Sequence, residues 1–143
     1  MTRSKHHTAW AGALAVASEL SRRGYDAAIT LGNTPKLDLV CSSPDGRSFG
    51  IQVKSTSSPN WIFVNKSLLE SEPRIGLLVV VVLVPPALDR DCEFFVLTHN
   101  EAVAAYGAQR RTKMDGQPYK QGNEGLAWSA IKPHRGRWDK LPS

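Results

Sequence analysis

The sequence predicts an α/β fold in which helices cover both faces of a mixed sheet, and three features carry that expectation. The run Ile75–Val84 reads Ile-Gly-Leu-Leu-Val-Val-Val-Val-Leu-Val, apolar throughout and dominated by β-branched residues. Its ten residues fall well short of the roughly 20 that a membrane helix requires, so it reads as a strand buried on both faces, and no membrane span is expected. A buried strand needs cover above and below, which calls for helices as well as strands. Near the N-terminus, Trp10, Ala13, Leu14, Ala17 and Leu20 recur at spacings of three and four, the mark of an amphipathic helix. Between these two elements, Leu37–Cys41 and Phe49–Ser55 alternate apolar and polar residues around a segment dense in turn formers. A chain of 143 residues suits one domain of about 100–200 residues. The expectation is a single domain over 1–143, with 107–143 a basic extension docked on the core.

In chain order, the first helix spans Lys5 to Arg23, with Gly24 as its C-terminal cap and Arg22 and Arg23 favoured there by the helix dipole. Glu19 lies one position from Leu20, at the rim of the apolar face. Tyr25–Leu31 is a first strand, and Leu37–Cys41 and Phe49–Ser55 form a hairpin across Ser42–Arg47. Phe49, Ile51 and Val53 share one side of its second strand; Gly50, Gln52 and Lys54 share the other. Trp61–Val64 is a short strand and Lys66–Glu72 a short helix. Pro85 and Pro86 stop the apolar strand, Glu93–Leu97 supplies another, and Thr98-His99-Asn100-Glu101 fits a capping box opening a helix through Tyr106. From Gly107 the chain is polar, basic and turn-rich, but Trp128, Ile131, Trp138 and Leu141 are expected to dock on the body.

The net charge of +5 is unevenly placed: residues 1–106 hold ten Lys/Arg and ten Asp/Glu, and residues 107–143 hold eight against three. A basic tail suits a polyanionic partner, and equally a solvated surface. Cys41 and Cys92 make no disulfide framework or zinc pattern and read as small buried hydrophobes. Met1–His7 lacks the apolar core of a secretory signal, so the expected compartment is the cytoplasm. His6 and His7 read as a polar terminus, and His99 and His134 as surface residues. No phosphate loop, nucleophile elbow or nicotinamide fingerprint is present, and no small-molecule cofactor is expected.

Chemistry collects on the second side of the hairpin. Gln52 and Lys54 face the same way, and hairpin pairing can bring Asp38 beside them. A carboxylate next to a carbonyl oxygen suits a hard cation, and a nearby ammonium can orient water or stabilise a phosphoryl transition state.

The order of a Glu-bearing helix, an Asp-bearing strand, a hairpin into Gln-Val-Lys and then a very apolar strand resembles the PD-(D/E)XK nuclease superfamily, in its restriction-endonuclease-like and Holliday-junction-resolvase-like branches. The residues that carry the likeness are Glu19 in Ala17-Ser18-Glu19-Leu20, Pro35-Lys36-Leu37-Asp38 and Ile51-Gln52-Val53-Lys54-Ser55, over roughly residues 8 to 100. The resemblance implies a mixed sheet of four to five strands flanked by helices, and Mg2+-dependent cleavage of DNA, with Mn2+ as a substitute. It makes Asp38 the metal-binding acid, Gln52 the occupant of the second acidic position, Val53 a main-chain ligand, Lys54 the catalytic lysine and Glu19 the first-helix acid. A homodimer is an option, because many such folds pair two sites to cut both strands. Ser55, which follows the lysine, and the basic Lys120, Lys132, Arg135 and Arg137 of the tail are the candidate DNA contacts. The alternative is a catalytically inactive nuclease-fold module that binds nucleic acid or a protein partner, which the neutral Gln52 favours.

Overall fold

The computed structural model describes residues 2–31, 37–120 and 122–143. Helix α1 (Lys5–Arg22) leads into a meander of β1 (Asp26–Leu31), β2 (Leu37–Ser42) and β3 (Ser48–Thr56). A two-residue strand β4 (Ile62–Phe63) and a one-turn helix α2 (Lys66–Leu69) precede β5 (Leu77–Leu83), β6 (Glu93–Thr98) and α3 (His99–Lys113). Strand β7 (Gly125–Leu126), helix α4 (Trp128–Ile131) and 3-10 turns at Lys132–His134 and Trp138–Lys140 complete the chain. The five-stranded sheet has the order β1-β2-β3-β5-β6, and β4 pairs separately with β7. Only the β3–β5 pair of the main sheet is parallel. Parallel neighbours cannot be joined by a tight turn, which is why the segment holding β4 and α2 crosses over between them.

The apolar run around β5 is explained by its interior place between β3 and β6, covered on both faces. Leu78, Val80 and Val82 pack under α1 with Leu39, Ile51, Val53 and Val96, while Val79, Val81 and Leu83 pack with Leu68, Leu69, Phe95, Leu97 and Tyr106 on the other face. At about 1.5–3 kcal/mol for each fully buried Val or Leu, this strand anchors both layers.

Helix α1 is turned relative to the expected face: Thr8, Gly12, Ala13, Val16 and Leu20 are buried, and Leu14 is 53% exposed. Small residues win because the helix lies very close to β3. A Cβ placed on Gly12 would come within 1.9 Å of Ser55 Oγ, so the bulkier Trp10 and Leu14 are displaced to the flanks. At its start, Ser4 and His7 form a capping box, which gives the expected polar terminus a structural task.

Helix α3 begins at the expected capping box but runs on to Lys113 through Gly107, because Ala102 and Tyr106 continue its buried face and Arg110, Arg111 and Lys113 suit its C-terminal end. His99 is fully buried, not at the surface. Its Nδ1 accepts the Arg74 N–H at 2.9 Å and its Nε2 donates to Leu68 O at 2.8 Å, so it ties the loop after α2 to the start of α3. Cys41 is buried and Cys92 partly so, both as free thiols.

The C-terminal segment docks as expected and does so across the sheet edge. Ile131 lies in the α3 layer and Trp138 in the α1 layer, so the chain passes from one face to the other around β6. On the way, Gly136 N–H donates to Phe94 O at 2.8 Å and Arg135 bridges to Phe95, covering backbone groups that an edge strand would otherwise expose. Among the described residues, no helix is long and apolar enough to cross a membrane.

Candidate functional site

Asp38 on β2 stands directly opposite Gln52 on β3. Gly50 N–H donates to Gly76 O, and Val84 N–H to Thr56 O, so the even-numbered residues of β3 turn their peptide groups toward β5. The Asp38–Gln52 pair is therefore of the non-hydrogen-bonded kind, whose Cα atoms lie about 4.5 Å apart, the closer of the two antiparallel spacings. Lys54 follows two residues along on the same side. The β2–β3 pairing ends at Asp38–Gln52, and the carbonyl of Val53, at an odd position, is directed toward the β2 side just beyond it. The three side chains named from the sequence thus share one face, with the main-chain ligand beside them.

That face is only half covered. Gln52 and Lys54 have the fully buried Val79 and Val81 as neighbours on β5, whereas on the other side Val40 is 57% exposed and Ala28 is exposed as well. The layer of α2 and α3 covers the β5–β6 half, and the half-buried Asp38, Gln52 and Lys54 line the step between the covered and open halves. A step of this kind gives a ligand a wall of low polarity on one side and access from solvent on the other.

The carboxamide oxygen of Gln52 is buried and has no hydrogen-bond partner among the described residues. Left so, it costs about 1–3 kcal/mol. Together with the Asp38 carboxylate and the Val53 carbonyl, it makes an all-oxygen donor set bearing one negative charge. Such a set fits a hard divalent cation such as Mg2+, which keeps several waters of its own. It is a set of mixed donors: among the described residues, no three His, Cys, Asp or Glu side chains converge to hold a metal ion.

Other expected site residues fall elsewhere. Glu19 does not join the group, because α1 packs on the opposite face, against Ile51 and Val53, and its carboxylate is held by Arg22 at 3.2 Å and Arg23 at 3.0 Å. Ser55 turns away from the Asp38–Gln52 face, since odd positions of β3 face α1, and its Oγ is buried beneath Gly12 without a partner among the described residues, although the residue lines the groove beside Lys54. Arg135 pairs with Glu93 at 3.0 Å and Arg137 with Asp139 at 2.8 Å, so two of the four tail cations already face carboxylates, while Lys120 and Lys132 are exposed. Pro35 and Lys36 of the motif lie outside the described residues.

Lys54 also borders a groove of about 490 Å3, which it shares with Arg3, Lys5, Ser57, Asn60, Trp61 and Phe63. The aromatic pair was not singled out by sequence reasoning. Trp61-Ile62-Phe63-Val64 is apolar throughout, and only the alternating burial, with Ile62 and Val64 inside and Trp61 and Phe63 outside, separates core from surface. Comparison with protein-family models, curated proteins and solved structures finds no match to this chain.

Proposed function

We propose that the protein is a metal-dependent endonuclease acting on DNA, of the PD-(D/E)XK type that its motif resembles. The observation that carries this reading is the Asp38–Gln52 cross-strand pair, with Lys54 on the same face and the Val53 carbonyl just past the end of the pairing. Asp38, Gln52 and the Val53 carbonyl would hold Mg2+ or Mn2+, which supplies Lewis acidity against the phosphate oxygens. The Lys54 ammonium would sit against the scissile phosphate and stabilise the charge that builds up as the phosphodiester is attacked. The buried valines behind it keep water from one side, which strengthens that charge interaction.

A second reading rests on Gln52 itself. A neutral amide adds no charge to the donor set, and a module that keeps the fold for binding alone would tolerate it. Incubation of supercoiled plasmid and branched DNA with the protein separates the two. Cleavage that needs Mg2+ or Mn2+ and stops with chelator is the expected result, and Gln52→Glu, by restoring a second acid, is expected to lower the metal concentration at half-maximal rate several-fold. DNA binding with no cleavage at any metal concentration, in both the unaltered protein and Gln52→Glu, would favour the binding module.

A further inference from the structure

We propose that the groove beside Lys54 takes an unpaired stretch of DNA, with bases stacked on Trp61 and Phe63 and phosphates drawn to Lys5 and Lys54; this rests on the nuclease reading above and names its substrate. The groove opens from the C-terminal end of β3 and is lined by the cations Arg3, Lys5 and Lys54 and by no carboxylate among the described residues. Arg3 is fixed there by hydrogen bonds to the carbonyls of Val84 and Pro85 at 2.8 and 3.0 Å, which hold the guanidinium in place without neutralising it. Ser57 and Asn60 add neutral donors along the same wall. The chemistry of this surface is that of a polyanion site.

The aromatic residues narrow the polyanion to an unpaired strand. Trp61, just before β4, is 43% exposed and Phe63, within it, 47% exposed, so two large rings stand side by side at the surface. With Ile62 and Val64 buried between and beyond them, the two rings point outward together, two residues apart, so in extended chain their anchor points are separated by about 6.6–7 Å. Successive bases in one strand of a duplex rise by only about 3.4 Å and are stacked on each other, so their faces are closed to a ring from the protein. A stretched single strand opens those faces at roughly the spacing the two rings offer, and stacking on aromatic side chains tolerates any base. Tyr119 packs against Trp61, with ring centroids 5.6 Å apart. Because Lys54 belongs both to this groove and to the Asp38–Gln52 face, a strand lying on the rings would deliver its backbone to the candidate metal site.

Fluorescence anisotropy with a labelled single-stranded oligonucleotide and a duplex of the same length, both in chelator so that nothing is cut, tests this. The single strand is expected to bind more tightly than the duplex. Phe63→Ala, at an exposed position, is expected to weaken single-strand binding about tenfold while changing duplex binding less than twofold. Trp61→Phe, which keeps a ring against Tyr119, should retain most of the affinity, and Lys5→Gln should weaken binding and flatten its salt dependence. Equal affinity for the two oligonucleotides, no effect of Phe63→Ala, or no binding of either, as for a groove that takes a protein segment, would overturn the proposal. The two readings fail separately: metal-dependent cleavage indifferent to Phe63 removes the groove and keeps the nuclease, whereas ring-dependent single-strand binding without cleavage does the reverse.

Discussion

Gln52 Oε1 and Ser55 Oγ are buried and without partners among the described residues, yet their surroundings give them different meanings. Ser55 faces α1, where Gly12 lets helix and strand approach so closely that no group reaches the hydroxyl. Removing that hydroxyl removes an unsatisfied group, so Ser55→Ala is expected to leave stability unchanged or slightly raised in urea unfolding. Gly12→Ala is expected to cost about 1–3 kcal/mol through overpacking, with part of the loss recovered when Ser55→Gly is added. Gln52 instead faces Asp38 across the strand pair, at the step where a ligand can enter. On the proposed function, its orphaned oxygen is a cost kept for the metal. Gln52→Met, of similar reach and without the amide, is therefore expected to unfold at a higher urea concentration and to show no cleavage; lower stability would mean that the amide serves the fold instead. This part of the site was legible because strand alternation alone puts positions 52 and 54 on one face. Glu19 was misplaced because helical periodicity gives an angle around the helix and not the face of the sheet on which that helix will sit.

At the scale of elements, the C-terminal segment is held by one polar cluster where it meets α3. The Lys140 ammonium donates to Val96 O, Glu101 Oε1 and His134 Nδ1, each at 2.8 Å, and the same Glu101 oxygen accepts Thr98 N–H in the capping box. Burial and the neighbouring Lys140 hold His134 below its ordinary 6.5. Burial alone would raise Glu101, but the bonds from Lys140 and Thr98 outweigh it and hold the carboxyl below its ordinary 4.5. Both shifts have the same sign for stability. As pH falls through 6.5 the unfolded chain protonates His134 before the folded one does, and below 4.5 it protonates Glu101 first, so stability is full above 6.5 and declines stepwise on acidification. Urea unfolding across that range should show the decline, with its upper part reduced in His134→Gln and its lower part in Glu101→Gln. A profile indifferent to both substitutions would mean that the cluster does not couple folding to these protons. Of this cluster, only the capping-box bond between Glu101 and Thr98 was legible in the sequence. Its members come from positions 96, 101, 134 and 140, and nothing local marks them as neighbours. The buried His99 was missed for a related reason: a residue in the first turn of a helix is usually solvated, and here the loop at Leu68 and Arg74 folds over it.

Across the whole molecule, the interior place of β5 and the β2–β3 hairpin were within reach because a fully apolar strand needs cover on both faces and alternating strands around a turn pair as neighbours. The docking of 107–143 was foreseeable from its Trp and Ile residues, but its path around the β6 edge was not. That path changes the meaning of the basic surplus. Arg135 and Arg137 sit in carboxylate pairs within a segment fastened to both faces of the sheet, and the cations that line the groove beside the Asp38–Gln52 face, among the described residues, are Lys54, Lys5 and Arg3, from the part of the chain whose formal charge sums to zero. The most direct measurement is therefore the rate of plasmid cleavage in Mg2+ by the unaltered protein beside Asp38→Ala and Lys54→Ala, each shown to be folded by its unfolding curve. The expected result is cleavage by the unaltered protein and a loss of at least about a hundredfold in each variant, the scale of removing one charge-stabilising group from an active site. Cleavage that persists in both variants would contradict the site at the Asp38–Gln52 pair.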